Sequence, residues 1–445
     1  MTEPRSPQPL SAADSAWLRM EDPTNLMTVT GVMMLATPLD LDQLRATLTS
    51  KLLVHRRFRQ RVVERAGRFG RPHWHDHEAF RIDDHVHRIR IPEPADERGL
   101  QAFVGEVMST PLDVGKPLWH MYYVENAAPG GAIVARLHHA MGDGIALVRL
   151  LLNLTSSDAA GTVAGDFPIP QGGNPTRRGL GGVVAAGVGL AAALGKLAGV
   201  ALMADPPTAL KGSLGTAKQA TWSSRLPLDD VKRVSKALGG TVNDVLLSAV
   251  AGGLCSYLET HHGVAHGLSL RAVVPVNVRR ADEPPTLGNK FGLVFLPLPV
   301  GVRNRRGRLA ELRRRMDGIK QSGEAVVNYG ILKLLGATSA AVEMLVVNLL
   351  GRNSTAVMTN VPGPREPLYL CGSRVDDLIF WVPQSGRLAL GVSILSYAGG
   401  IRIGVAADRG VIPDPDALVA AFQWAFAELA VDADDAGLTS RSNPA

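Results

Sequence analysis

The chain is poor in cysteine and in aromatic residues. Of its 445 residues only two are cysteine, Cys255 and Cys371, and 5% are aromatic. Two distant cysteines in apolar surroundings exclude a disulfide framework and a thiolate-bound zinc site, and they predict a reducing compartment, the cytoplasm. With no stacking motif and no zinc finger, the low aromatic content also argues against nucleic acid as a partner, despite a net charge of +6.

Several common sequence signals are missing as well. The first 25 residues are polar and predict no secretory signal. The 47 glycines and 29 prolines follow no period, which excludes collagen-like and repeat architectures. The chain has no Gly-x-Ser-x-Gly nucleophile elbow and no Cys-His catalytic signature, and Gly195-Lys196 lacks the other residues of a P-loop. Serine-hydrolase, thiol-enzyme and P-loop chemistry are therefore not predicted.

The basic surplus is concentrated in two arginine runs, at residues 55–71 and 303–315. One interpretation is attraction to a polyanion, such as anionic lipid or the phosphates of coenzyme A. The commoner interpretation is a solvated face with scattered ion pairs, and we favour it.

Hydrophobic periodicity predicts alternating helices and strands, which is typical of the α/β class. A chain of this length predicts two domains. We divide it into an N-terminal lobe at 1–157, a linker or crossover at 158–220 and a C-terminal lobe at 221–445. Within the linker, residues 179–203 are apolar and long enough to span a bilayer, but they contain seven glycines. A span, an interfacial helix and a crossover segment all remain open.

The individual elements follow from the same patterns. Ser11 and Asp40 are predicted to begin helices, and His261-His262 is predicted to lie in a loop after a helix. The further predicted helices are 100–108, 145–154, 228–238, 242–258, 309–322, 331–350 and 415–431. The predicted strands are 27–35, 119–124, 132–137, 270–276, 293–300, 388–396 and 400–407.

One histidine pair stands where a predicted strand meets a glycine-rich turn. Side chains alternate along a strand, so His138 and His139 point to opposite faces, and one can enter a cleft while the other holds the scaffold. Gly142 and Gly144 permit a turn that folds Asp143 back, where its carboxylate can fix an imidazole tautomer or lock the loop. Packing alone would be the ordinary explanation for a lone pair, but the full His-His-x-x-x-Asp-Gly pattern favours function.

An imidazole with a pKa of about 6.5 suits proton abstraction from a hydroxyl group near neutral pH. Because no nucleophile is evident, the pattern favours direct attack by an acceptor on an activated acyl group over a covalent acyl-enzyme. A second group, His73, His75 and His77, would share one face of a strand, as a metal site requires. An exposed strand or loop explains that group better, and we expect no metal.

The chain resembles the bacterial bifunctional wax ester synthase/acyl-CoA:diacylglycerol acyltransferase family over most of its length. The active-site motif of that family matches residues 138–144, and its Pro-Leu-Trp motif matches Pro117, Leu118 and Trp119. Its Asn-Asp motif matches Asn243 and Asp244. Its opening and C-terminal signatures match residues 10–14, 21–27, 275–279, 288–289, 359–364 and 396–399.

The resemblance implies a two-lobed, coenzyme A-dependent acyltransferase-like fold with the active site in a tunnel between the lobes. His139 would be the general base, and His138, Asp143 and Gly144 would shape the site, as would the Pro-Leu-Trp motif. Asn243 and Asp244 would support a helix beside the tunnel. Acyl-CoA would be a co-substrate and no cofactor would be bound. The products would be triacylglycerol or wax ester, made by a cytoplasmic protein peripheral to a membrane or lipid droplet.

Two points stay open. His120 to Asn126 follow the tryptophan where the family tends to have Glu-Gly, so the choice between diacylglycerol and a long-chain alcohol is unsettled. Condensation domains of peptide synthetases share the histidine pattern and the lobed fold, and would form amides. No carrier-protein pattern supports them here. A non-catalytic lipid-binding relative is the remaining alternative.

Overall fold

The computed structural model describes residues 7–64, 72–127, 129–142, 152–162, 205–262, 267–277, 291–322, 348, 351–384 and 386–441. The helices in these ranges are α1 Ala12–Arg19, α2 Leu41–Lys51, α3 Glu97–Ser109, α4 Leu228–Leu238, α5 Val242–His262, α6 Arg305–Ser322 and α7 Pro415–Arg441. The strands of the first half are β1 Gln8–Pro9, β2 Thr28–Leu35, β3 Gln60–Val63, β4 His73–Asp76, β5 Val86–Ile89, β6 Trp119–Val124 and β7 Ala132–His138. Those of the second half are β8 Lys218–Trp222, β9 Leu226–Pro227, β10 Leu270–Asn277, β11 Phe291–Leu298, β12 Ala356–Pro362, β13 Leu368–Leu370, β14 Ser373–Trp381, β15 Leu390–Tyr397 and β16 Gly400–Asp408.

The N-terminal lobe is built on a sheet with the strand order β13-β14-β2-β7-β6-β5. Strand β7 lies inside this sheet, with β2 and β6 antiparallel on either side of it, and each of its residues is buried. This explains its almost uniformly apolar sequence, because a strand covered on both faces needs apolar side chains in both directions. Strands β13 and β14 come from beyond residue 360, so the N-terminal sheet is completed by the C-terminal part of the chain.

The C-terminal lobe is built on a second sheet, ordered β11-β10-β12-β15-β16-β8. Residues of α4, α5, α6 and α7 share one buried apolar cluster with these strands, so the helices cover one face of the sheet. Gly253 of α5 has no side chain where Phe422 of α7 packs, and this lets the two longest described helices approach closely.

The other face of the second sheet meets the first sheet. Trp222 of β8 and Trp381 of β14 lie 5.8 Å apart between ring centroids, in an apolar cluster shared by both lobes. Beside it, Arg402 Nε on β16 donates to Asp377 Oδ2 on β14 at 2.6 Å, and both side chains are largely buried. The lobes are therefore joined by an apolar core with an ion pair at its edge.

The α/β class and the two-lobed architecture are confirmed, as are the predicted caps. Ser11 caps α1 and Asp40 caps α2 with their side-chain oxygens. Several boundaries were wrong: α3 begins at Glu97, α6 begins at Arg305, α7 continues to Arg441, and His261-His262 ends α5 instead of lying in a loop. The predicted segments at 145–151, 179–203 and 331–347 lie outside the described residues.

The structure bears on membrane spanning only through the helices it describes. No single one of them is long and apolar enough to cross a bilayer. Helices α4 and α5 satisfy that requirement only as a pair, and they are bent by 93° at the break between them. Much of that pair belongs to the core of the C-terminal lobe, where apolar residues are needed in any case.

Candidate active site

The histidine pair lies at the end of β7, where its backbone is held from both sides. The N–H of His138 donates to the Leu118 carbonyl at 2.9 Å, and the N–H of His139 donates to the Met27 carbonyl at 2.7 Å. After His138 the chain turns through a short 3₁₀ helix, His139–Met141. The sheet register therefore fixes where each imidazole begins.

The two side chains have different surroundings, as strand alternation predicted. His138 Nδ1 accepts the Ala140 N–H at 3.0 Å and so caps the short helix that carries His139. The His139 ring stacks on Trp17 of α1, with 4.1 Å between centroids and 27° between planes. Both histidines are buried, with 1% and 4% of their surfaces exposed. His138 thus serves the scaffold, and His139 is held in an aromatic contact.

A carboxylate that the sequence did not single out completes this arrangement. His138 Nε2 lies 2.9 Å from Glu21 Oε2. Because Nδ1 of the same ring accepts a hydrogen bond, the ring proton of neutral His138 is on Nε2, the nitrogen that lies beside the Glu21 carboxylate. The same Glu21 oxygen accepts the Met27 N–H at 3.2 Å. Glu21 therefore acts on the His139 backbone along two routes, through the Ala140 N–H and through the Met27 carbonyl.

The charge of Glu21 is stabilised where it lies. Burial alone would raise the pKa of Glu21, but the adjacent His138 ring, the Met27 N–H and the charge of Arg136 together lower that pKa below its ordinary value. The carboxylate is therefore ionised at neutral pH and places a negative charge beside the histidine pair.

Both lobes contribute to the surroundings of His139. Trp17, Met20, Met27 and Ala140 form a small apolar cluster, and Leu293 of β11 packs against it from the C-terminal lobe. Asn25 links the same region across the lobes, because its Nδ2 donates to the carbonyls of Gly386 at 2.9 Å and Leu388 at 3.2 Å. The pair thus lies where the two lobes meet.

The Pro-Leu-Trp motif holds the neighbouring strand. Leu118 supplies the carbonyl that anchors the His138 N–H. Trp119 is buried, its Nε1 donates to the Phe58 carbonyl at 2.9 Å, and its ring stacks on His85 at 4.7 Å. Pro117 precedes them and accepts the Trp119 N–H through its carbonyl. These contacts are structural and fix β6 against β7.

Asn243 and Asp244 lie in the first turn of α5. Asp244 Oδ2 accepts from the N–H and the hydroxyl of Thr241, both at 2.8 Å, and Thr241 Oγ1 accepts the Asp244 N–H at 3.2 Å. This reciprocal pattern is a capping box. Asn243 Oδ1 accepts from Asn360 Nδ2 at 2.8 Å, which connects the Asn-Asp motif with the motif at 359–364. The contacts support a structural role for both residues.

Asp143 and Gly144 lie outside the described residues, so the structure does not place them relative to His139. It brings together His138, His139 and Leu118 from the sequence motifs. It adds Glu21 and Trp17, which sequence reasoning missed. Glu21 lies inside the opening motif, but no local sequence pattern indicates its contact with His138, which is 117 positions away.

A second polar group lies on strands β5, β6 and β7 of the first sheet. His120 and Arg136 are register partners on β6 and β7, and His87 Nε2 lies 2.9 Å from His120 Nδ1. Burial lowers the pKa of His120 to about 3, with further lowering by the neighbouring histidines His85 and His87, by Arg136 and by Lys116. Burial also lowers the pKa of Arg136, whose Nη2 donates to the Thr110 carbonyl.

No group of three or more His, Cys, Asp or Glu side chains within the described ranges is arranged to hold a metal ion. The histidine group for which the sequence left a metal site as one interpretation does not lie on a single strand. His73 and His75 share a face of β4, with 6.5 Å between ring centroids, whereas His77 lies beyond the end of that strand.

Comparisons with known proteins agree with one another. Residues 10–246 match the wax ester synthase/diacylglycerol acyltransferase catalytic domain, and residues 287–430 match the WS/DGAT C-terminal domain. The probable diacylglycerol O-acyltransferase tgs1 of Mycobacterium tuberculosis is 29% identical over 442 residues, which cover 94% of this chain and 95% of that protein.

Solved structures show the same fold. The wax ester synthase/diacylglycerol acyltransferase from Marinobacter aquaeolei VT8 superposes with a TM-score of 0.73 at 24% identity, covering 96% of this chain and all of that one. The first condensation domain of the calcium-dependent antibiotic synthetase gives 0.64 at 17% identity, with 97% of each chain covered.

Proposed function

The chain belongs to the wax ester synthase/diacylglycerol acyltransferase family, and on that premise we propose that His139 is the base that drives its acyl transfer. The reaction moves a fatty acyl group from acyl-CoA to the hydroxyl of diacylglycerol or of a long-chain alcohol. The observation that supports the assignment is the different placement of the two rings: both ring nitrogens of His138 lie against scaffold groups, whereas the ring of His139 stacks on Trp17 where the two lobes meet.

The chemistry needs one base and no covalent enzyme intermediate. His139 takes the proton of the acceptor hydroxyl while that oxygen attacks the thioester carbonyl carbon. The new C–O bond forms, and the tetrahedral intermediate then collapses with loss of the C–S bond. The departing thiolate takes the proton back from the imidazolium, which yields the ester and free coenzyme A. Acyl-CoA is therefore a co-substrate, and the cycle requires neither a bound cofactor nor a metal.

The remaining motif residues support this step. His138 and Glu21 orient the turn and Leu118 anchors the strand end, while Asp143 and Gly144 are assigned a site-shaping part on the family motif alone. Negative charge from Glu21 beside the pair favours the imidazolium that forms as the proton is taken.

The protein's location follows from its proposed substrates. Diacylglycerol and long-chain alcohols reside in bilayers and lipid droplets because transferring their chains to water is costly. We therefore place the protein in the cytoplasm, peripheral to a membrane or lipid-droplet surface. The cytoplasmic half of this proposal rests on the scarcity of cysteine.

The test is product formation from palmitoyl-CoA with diolein and, separately, with hexadecanol. His139→Ala should lower the rate by roughly 100- to 10,000-fold, the usual contribution of a general base. His261→Ala is the matched control, because it removes a histidine from the other adjacent pair, at the exposed end of α5. Unchanged ester formation in a folded His139→Ala variant would refute the assignment. A hexadecylamine arm separates ester from amide synthesis.

A further inference from the structure

A surface pocket of about 480 Å³ lies on the C-terminal lobe between α5, the start of α6 and α7. Its wall includes the beginning of the second arginine run, and no part of the histidine site contributes to it. The charged side chains of this pocket therefore belong to a surface feature separate from the histidine site.

Part of this charge is neutralised by the lobe itself. Arg303 pairs with Glu259 at 2.8 Å, and Arg305 pairs with Glu428 at 2.6 Å and with Asp432 at 2.9 Å. Within the described part of the chain, Arg306 and Arg308 form no ion pair with a carboxylate. The pocket thus keeps positive charge after its internal pairs are counted.

Arg308 is the unusual member of the group. Its side chain is 4% exposed, and Nη1 donates to the Val302 carbonyl at 3.3 Å. Its Nε has no hydrogen-bond partner among the described residues. A buried donor of a charged group is costly when it is left unpaired. Gly252 makes room for this guanidinium, because a Cβ there would come within 2.5 Å of Nη2.

The same wall contains the N-terminus of α6, an 18-residue helix. Asn304 precedes this helix and caps it, because its Oδ1 accepts the Gly307 N–H at 2.7 Å. The first amides of a helix point outward and its N-terminal end is partially positive, so such an end favours an anion. Arg308 and the helix end therefore attract the same kind of ligand.

Exposed apolar side chains lie beside the arginine-containing wall of the pocket. Trp424 lines the pocket and Val431 follows two turns later on the same face of α7, and each is 57% exposed. Tryptophan and arginine together are typical of surfaces that sit at a membrane interface, because the ring enters the headgroup layer while the guanidinium meets phosphate. A freely soluble phosphate would gain nothing from contact with the apolar side chains of Trp424 and Val431.

We propose that this pocket binds the phosphate of an anionic phospholipid headgroup, with Arg306, Arg308 and the start of α6 as the anion site and Trp424 in the membrane interface. The proposal rests on the proposed function, which requires access to an acceptor in a bilayer. It assigns that access to the outer side of the C-terminal lobe.

The experiment is flotation of the full-length protein with phosphatidylcholine vesicles that contain or lack 30 mol% phosphatidic acid. Arg306→Gln and Trp424→Ala alter exposed positions, and Arg308→Gln removes the buried guanidinium. Arg313→Gln is the control, since it removes an exposed arginine from the same helix outside the pocket. Circular dichroism confirms that each variant is folded.

The expected result is an approximately five-fold weaker partition to anionic vesicles for Arg306→Gln and for Arg308→Gln, about 1 kcal/mol per basic residue lost, with little change for Arg313→Gln. Trp424→Ala should also weaken the partition, because it removes the side chain placed in the membrane interface. Equal loss in Arg313→Gln, or no loss in Arg306→Gln and Trp424→Ala, would overturn the proposal. Thermal stabilisation of the wild type by inorganic phosphate, without vesicle binding, would overturn the lipid as its source.

Acyl transfer to detergent-solubilised diolein separates this idea from the proposed function. The pocket variants should keep that activity, because no residue of the histidine site lines the pocket. If wild type shows no acyl transfer while the vesicle result holds, the function fails and the docking site stands.

Discussion

The Glu21 carboxylate lies 2.9 Å from Nε2 of His138 and sets which of that ring's nitrogens carries the proton. Nδ1 is then available to accept the Ala140 N–H, which positions the turn that carries His139. This makes Glu21 a positioning residue for the reaction, although it is 117 positions earlier in the chain.

The first prediction concerns Glu21 itself. Glu21→Ala should lower kcat by roughly 10- to 100-fold with a smaller change in KM, an effect of the size seen when an orienting partner of a functional histidine is lost. Glu21→Gln should lower kcat less and move the acidic limb of the kcat–pH profile to lower pH, because a negative charge that favours the imidazolium is gone. An unmoved limb would leave Glu21 with a purely structural role.

The second prediction separates the two histidines. His138→Asn offers a side-chain oxygen that can accept the Ala140 N–H, whereas His138→Ala cannot. We expect the Asn variant to stay within about ten-fold of wild type and the Ala variant to fall further, because capping side chains contribute about 1 kcal/mol. Steady-state rates and melting temperatures measured together decide this. Equal losses in both variants would argue against the capping role.

The third prediction concerns the capping box of α5. Asp244→Ala should lower the free energy of unfolding by about 1 kcal/mol, because the Thr241 N–H and hydroxyl lose their acceptor. Asn243→Ala is the matched control, because it removes the neighbouring, solvent-facing contact with Asn360. It should lower the free energy of unfolding by less than Asp244→Ala does. Urea denaturation measures both. A large fall in kcat for Asp244→Ala in a fully folded protein would instead indicate a direct part in the reaction.

The fourth prediction follows from the pKa of about 3 at His120. The unfolded chain, in which this histidine has its ordinary pKa of about 6.5, binds a proton that the folded protein rejects between pH 6.5 and pH 3. The contribution of His120 to the free energy of unfolding is therefore fully present above pH 6.5. It falls as the pH is lowered through that window, by at most about 1.4 kcal/mol per pH unit. His120→Gln should flatten that slope, and His261→Gln should not.

How far the sequence predicts this protein depends on the range of the interaction. The helix starts after Ser11 and Asp40, the end of α4 at Leu238 and the presence of strands β15 and β16 follow from neighbouring residues, and each was predicted. His138 and His139 could also be assigned to opposite sides of a strand end. Glu21 could not be found in this way, since nothing in the neighbouring sequence indicates which distant histidine this acid contacts.

The helix boundaries that were wrong have a similar explanation. Arg305 Nε donates to Asp432 Oδ2 at 2.9 Å, a contact between α6 and the last turns of α7. Neither helix shows the apolar spacing there that marks the rest of its length, so the pattern ends before the helix does. The extension becomes visible only when the two charged ends are seen together.

The insertion of β14 beside β2 has a consequence for biosynthesis. During translation, β2 cannot pair with β14 until more than 340 further residues have been made. Until then, one edge of that sheet exposes unpaired amides and carbonyls. A gene split between the lobes would thus yield a first fragment with an open, aggregation-prone edge, however well the rest of it folded. The topology therefore favours synthesis of the two halves as one polypeptide, independently of the reaction that the protein supports.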